Sequence, residues 1–143
     1  MMFIGEYDHV IDEKKRIIIP SKIREELGNK FIMSKGLDGC IYVYTLEDFK
    51  ILESKLKMLP MSSKEARVYS RFFFSSAHEV EMDKQGRALI PQLLIEYAKL
   101  EKEVVSIGVS NRIEIWSKEQ WIIYNSQEFD MDEIAEKMSD LGI

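Results

Sequence analysis

One nine-residue phrase occurs twice in this chain, as "DEKKRIIIP" from Asp12 to Pro20 and as "DKQGRALIP" from Asp83 to Pro91. Each copy has an Asp, an Arg four residues on, an Ile three residues later and then a Pro. The agreement extends beyond the phrase. A shift of 71 residues superposes Asp12 on Asp83, Arg16 on Arg87, Ile19 on Ile90, Pro20 on Pro91 and Glu25 on Glu96. After one inserted residue, a shift of 72 superposes Lys30 on Lys102, Ser34 on Ser106, Gly36 on Gly108, Ile41 on Ile113 and Glu47 on Glu119. Agreement that keeps its order over a whole segment marks two copies of one supersecondary unit. A unit of about 45 residues is near the lower limit for a self-sufficient core. Its apolar faces need a partner, and the nearest is the other copy. The repeat therefore predicts two halves that interlock about a pseudo-twofold axis and share one core.

Each copy predicts the same elements. A strand comes first, at Glu6 to Ile11 and at His78 to Met82, followed by the phrase and its apolar runs. Pro20 and Pro91 suit a first helical turn, where a missing N–H costs nothing. Helix is expected from Ser21 to Leu27, stopped by Gly28, and from Gln92 to Lys99. "KFIMSKG" and "EVVSIGV" are β-branched or apolar runs, and "CIYVYT" and "RIEIWS" alternate as strands do. Thr45 and Ser117 can cap the helices that follow. Between the copies, Pro60 marks a break, and Ser62 with Glu65 has capping-box spacing for a helix to about Phe74. On that helix Lys64, Arg67 and Arg71 make a basic stripe, with Val68, Phe72 and Phe73 expected to face the core. The organisation expected is a first module at 1–56, a linking helix at 57–76, a second module at 77–124 and an acidic helix or tail at 125–143.

Composition narrows the class. Hydrophobic residues are 45% and charged residues 31% of 143, which is a globular composition rather than a disordered one. No apolar run reaches membrane-spanning length, and "MMFIGEYDHV" has no secretory pattern, so a cytoplasmic protein with no membrane partner is expected. The net charge of −5 looks unsuited to a nucleic acid, but its distribution is uneven. Glu128 to Ile143 holds six acidic residues and one Lys, which accounts for the whole −5. Asp12 to Arg24 holds five basic and two acidic residues, and local charge sets the field a ligand meets.

Enzyme chemistry finds little support. The chain lacks a phosphate-binding loop, a dinucleotide fingerprint and an H-E-x-x-H motif. His9 and His78 have no Cys or His at ligand spacing, and single Cys40 has no visible activating base. No metal, cofactor or small-molecule substrate is expected. Asp12 and Asp83 are poor acid catalysts, because a nearby Arg holds a carboxylate ionised. Tyr42, Tyr44, Trp116 and Trp121 are expected in the core ahead of base stacking.

The phrase remains. As a turn it is ordinary: Gly86 supplies a positive φ, and Asp bonds its own backbone. Two copies nevertheless keep Asp and Arg while the residues between them change, and a turn alone requires no cation. A guanidinium fork matches phosphate or the O6 and N7 atoms of guanine. Lys14, Lys15 and Lys84 supply point charges for phosphates.

These residues resemble the MraZ family, whose phrase is Asp-x-Lys-Gly-Arg followed by an apolar run and Pro, once in each of two modules. Here it stands as Asp12-Glu13-Lys14-Lys15-Arg16 and Asp83-Lys84-Gln85-Gly86-Arg87, and the likeness covers essentially the whole chain. The resemblance implies an α+β, β-rich fold: a double swapped-hairpin barrel of the SpoVT/AbrB type, with linking and C-terminal helices. It implies a nucleoid-associated regulator that binds promoter DNA at short direct repeats as a ring-shaped homo-oligomer and represses its own cell-division and wall-synthesis operon. The alternative is a ring-forming interaction protein without direct DNA readout. Arg16, Lys14, Lys15, Arg87 and Lys84 are the expected DNA contacts, with Asp12, Asp83 and Gly86 shaping the turns. Lys15 replaces the usual Gly and Gln85 the usual Lys, so the first turn is expected to dominate.

Overall fold

A computed structural model describes residues 2–143. The first copy comprises β1 (Glu6–Val10), β2 (Arg16–Ile18), α1 (Ser21–Leu27), β3 (Lys30–Lys35), β4 (Ile41–Thr45) and α2 (Leu46–Lys57). After α3 (Lys64–Ser76) the series recurs as β5 (His78–Glu81), β6 (Arg87–Leu89), α4 (Gln92–Tyr97), β7 (Glu103–Gly108), β8 (Ile113–Ser117) and α5 (Lys118–Asn125), followed by α6 (Met131–Ser139). Thr45 and Ser117 cap α2 and α5 by accepting from the amides of Asp48 and Gln120. Gly28 ends α1 with φ +81°.

Six strands form one antiparallel sheet in the order β1-β7-β8-β4-β3-β5, and β2 pairs with β6 in a separate antiparallel ribbon. Exchanging each strand for its counterpart reverses the sheet order and leaves it otherwise unchanged. The two registers place the axis: Tyr42 lies opposite Glu114 across β4 and β8, and Ile17 lies opposite Ala88 in the ribbon. Each of these pairs consists of equivalent residues of the two copies. The outer strands are exchanged, since β1 pairs with β7 of the second copy and β5 with β3 of the first. The expected closed barrel is not formed, because β1 and β5 end the sheet without pairing with each other. The architecture is α+β, an open sheet with a ribbon and six α-helices among the described residues.

Strand alternation builds two cores. Phe31, Met33, Ile41, Val43, Val104, Ile113 and Ile115 face the shared core, where they meet Ile17 and Ala88 of the ribbon and Ile23 and Leu94 of α1 and α4. Tyr42, Tyr44 and Trp116 point to the other face and pack with Leu56 and Phe73 beneath α2 and α3. The aromatic residues are thus core, as expected, with Trp121 half-buried against Trp116 at 5.0 Å between ring centroids.

The ladders correct the inner repeat. Phe31 lies opposite Thr45, and Val104 lies opposite Ser117, so β3 and β7 correspond at a shift of 73, not 72. Two residues are added between α4 and β7, and one is missing from the hairpin before β8. The identities Lys30/Lys102, Ser34/Ser106 and Gly36/Gly108 are therefore not structural equivalents. A one-residue slip would have turned every side chain to the other face, so burial overrides identity here. The linking helix also differs in detail. Its cap is Ser63, not Ser62: the Ser63 hydroxyl accepts from the Ala66 amide at 3.2 Å, and the Ser63 amide closes a turn onto the Pro60 carbonyl. Helix α3 lies on the sheet only through its later turns, so Phe73 is buried while Val68 is 57% exposed instead of facing the core.

Candidate nucleic-acid interface

Both phrases fold into the same turn. The Asp12 carbonyl accepts from the Lys15 amide at 3.0 Å, and its amide donates to the Arg16 carbonyl at 2.9 Å. The Asp83 carbonyl and amide do the same with Gly86 and Arg87, at 3.0 and 2.9 Å. One carboxylate oxygen, Oδ1, accepts two backbone amides in each turn, from Lys14 and Arg16 and from Gln85 and Arg87, all at 2.9 Å. The other, Oδ2, accepts from the Arg Nε at 2.8 Å in both copies. The Asp therefore shapes the turn and orients the guanidinium together.

The backbone amide of Arg16 is the largest cause holding the Asp12 carboxyl below the ordinary carboxylate range, and that of Arg87 does the same for Asp83. Both carboxylates are ionised throughout the neutral range. Because Asp takes only Nε, the terminal NH2 groups of Arg16 and Arg87 make no protein hydrogen bond among the described residues. Their donors are left over for a phosphate or the edge of guanine, both of which match a guanidinium fork.

The residue before each Arg needs a positive φ, and the copies meet this need differently. Gly86 has φ +78°, whereas Lys15 adopts φ +64° with a side chain attached. Lys15 thus accepts the local cost of the left-handed region and adds an exposed cation at the turn. The space beside Gly86 is occupied from elsewhere. A Cβ built there would lie 2.3 Å from Cζ of Arg24, whose Nε donates to the Ile19 carbonyl at 2.6 Å. Arg24 of the first copy therefore lies over the turn of the second.

Sequence reasoning did not single out Arg24 as a site residue. Its counterpart at the shift of 71 is Ile95, which is buried, so nothing in the repeat draws attention to it. The fold thus gathers Lys14, Lys15 and Arg16 at one turn and Lys84, Arg87 and the borrowed Arg24 at the other. Lys14, Lys15, Lys84 and Arg24 form no ion pair among the described residues.

The ribbon holds the turns apart. The Ile19 amide donates to the Gly86 carbonyl at 2.8 Å and the Ile90 amide to the Lys15 carbonyl at 2.9 Å, so the turns sit at opposite ends of β2–β6. At ~3.4 Å per residue they are separated by ~14 Å. Arg67 is set apart from this site: its guanidinium donates to the Met61 carbonyl at 2.8 Å within the linking segment.

The histidines and the cysteine have structural contacts. His9 Nδ1 faces the Ile18 carbonyl at 3.1 Å, an acceptor only, so Nδ1 carries the proton and Nε2 accepts from the Ser106 hydroxyl at 2.7 Å. Burial is the main cause of its lowered pKa. His78 Nδ1 donates to the Ser76 carbonyl at 2.8 Å. Burial pushes the Cys40 thiol far up, away from thiolate chemistry. Among the described residues, no group of three or more His, Cys, Asp or Glu is placed to hold a metal ion. No helix among them is long and apolar enough to cross a membrane.

Comparison with known proteins agrees with the duplicated geometry. The family model described as "MraZ protein, putative antitoxin-like" matches twice, over residues 2–72 and 73–141. A protein of Clostridium acetobutylicum named "Transcriptional regulator MraZ" is 66% identical over 142 residues, covering 99% of this chain and all of that protein. Proteins of the same name from Clostridium beijerinckii and Clostridium tetani are 63% and 62% identical, each with 99% of this chain and all of the relative covered. These relatives are named as regulators of transcription, not as enzymes.

Proposed function

The chain belongs to the MraZ family, and from that membership we propose that it is a sequence-specific DNA-binding regulator of transcription. The observation that carries the proposal is the pair of turns in which an Asp holds an Arg by Nε at 2.8 Å and leaves its terminal NH2 groups without a protein hydrogen bond among the described residues. Arg16 and Arg87 take guanine edges or phosphates, while Lys14, Lys15 and Lys84 take the backbone on either side. Asp12, Asp83 and Gly86 shape the turns without touching DNA. The finer reading is a repressor of its own cell-division and wall-synthesis operon, acting on short direct repeats from the nucleoid.

Self-assembly into a ring belongs to the same reading. Leu37, Val68 and Tyr69 are 45%, 57% and 43% exposed around one apolar cleft beside α3, a patch that a subunit contact would cover. Several subunits on successive repeats multiply weak contacts through effective concentration. If the repeated Asp and Arg instead served subunit contacts, Arg16→Ala would change sedimentation before it changed DNA affinity.

A gel-shift series on the DNA upstream of its own gene tests the proposal. Arg16→Ala is expected to cost roughly 1–3 kcal/mol for each bidentate pairing with a base that it removes. Binding should also weaken steeply with salt. A folded Arg16→Ala protein that binds as tightly as the wild type would overturn the assignment.

A further inference from the structure

Strand alternation gives the β2–β6 ribbon two faces. Ile17 and Ala88 are buried at 1% and 0% exposure, so Arg16, Ile18, Arg87 and Leu89 lie on the opposite face. On that face Ile18 is 55% and Leu89 57% exposed. They are counterparts at the shift of 71, and each stands directly across from an Arg: Ile18 opposite Arg87, and Leu89 opposite Arg16. A single exposed aliphatic residue needs no explanation. Two at equivalent positions, alternating with two oriented cations on one narrow ribbon, form a patterned surface.

We infer that this face enters the DNA major groove and that Ile18 and Leu89 read the C5-methyl groups of thymine beside the guanines taken by Arg16 and Arg87. The inference rests on the DNA-binding reading above and adds a second base to it. A major groove about 12 Å wide admits a two-stranded ribbon, and thymine presents its methyl there beside the guanine acceptors. Along a strand, Arg16 and Ile18 are two residues apart, ~7 Å, close to two base-pair steps of ~3.4 Å.

The predicted recognition element is therefore a guanine with a thymine within about two steps, presented twice by the ribbon's twofold arrangement. Nucleic acid suits this face better than a second copy of the chain. A protein contact covering Ile18 and Leu89 would also bury the unpaired NH2 donors of both Arg residues across from them, which costs free energy unless acceptors meet them. The cations at both ends of the ribbon favour a polyanion.

The test compares binding of the duplex upstream of its own gene with the same duplex carrying uracil for every thymine, which removes only the methyl groups. The wild-type protein should lose about fourfold in affinity for each methyl that it buries. The Ile18→Ala/Leu89→Ala protein should bind the thymine duplex more weakly and bind both duplexes alike. Both side chains are more than half exposed, so its thermal midpoint should match the wild type. Arg16→Ala runs in parallel. If Arg16→Ala weakens binding but the wild type treats the two duplexes equally, the inference fails and the DNA reading stands. If the double variant alters sedimentation without changing the thymine–uracil difference, the face is a subunit contact and the inference fails. If neither the wild-type protein nor Arg16→Ala shows specific binding, the DNA reading itself is overturned.

Discussion

Replacing Gly86 with Ala perturbs the second turn in two separable ways. The first is backbone strain at φ +78°, worth about 1–2 kcal/mol for an L-residue. The second is displacement of the Arg24 guanidinium, because the new Cβ would lie 2.3 Å from its Cζ. Arg24 then gives up its 2.6 Å hydrogen bond to the Ile19 carbonyl, and charged hydrogen bonds contribute about 1.5–3 kcal/mol. Reduced freedom of the unfolded chain returns about 0.4–1 kcal/mol. A net loss of about 2–4 kcal/mol follows if Arg24 finds no new acceptor, and about 1 kcal/mol if it swings to one.

Urea unfolding at one fixed protein concentration measures this loss, provided the slope with denaturant is unchanged. A cycle with Arg24→Ala separates the two causes: in that background Gly86→Ala should cost only the strain. Lys15→Gly in the equivalent turn should have the opposite sign, relieving strain there. A cost below about 0.5 kcal/mol for Gly86→Ala, or the same cost with and without Arg24, would rule out this coupling between the copies.

Three further expectations are open to measurement. Lys15→Gly should also remove a cation from each subunit, so binding weakens and the salt dependence of log K becomes shallower by about 0.9 if Lys15 meets a phosphate. Ser63→Ala should lower stability by about 1 kcal/mol while Ser62→Ala barely changes it, because Ser63 alone caps α3. Burial lowers the His9 pKa, so the unfolded chain takes up a proton first as pH falls below about 6.5. Stability should therefore decline from there down to the lowered value, and the difference in urea midpoint between about pH 7.5 and about pH 5.5 should shrink in His9→Gln.

The geometry of the two turns was legible because it is local. Asp12 and Arg16 are four residues apart, and turn chemistry depends on near neighbours, so the repeated phrase carries its own structure. The pseudo-twofold arrangement was legible from duplication. The open sheet was not, since closure depends on strand ends far apart in the chain. The shift of 73 in β3 and β7 was hidden by chance identities, Ser34 with Ser106 among them, while buried Phe31 and Val104 set the register. Arg24 was hidden for a related reason. It acts on the other copy's turn across the axis, and its counterpart Ile95 is a core residue, so no comparison of the copies exposes it.

The exchange of β1 and β5 has an evolutionary consequence. One copy alone leaves its inner strand without an outer neighbour, yet two identical copies could rebuild the same ladder order as a homodimer. Joining them in one polypeptide removes the requirement that both halves carry the same residue at every position. A mutation in a true homodimer is necessarily made twice, whereas here Lys15 and Gly86, or Arg24 and Ile95, diverge independently. Holding both copies in one chain thus gives a scaffold with two separately adjustable tips. Selection can refine one tip without altering its twin.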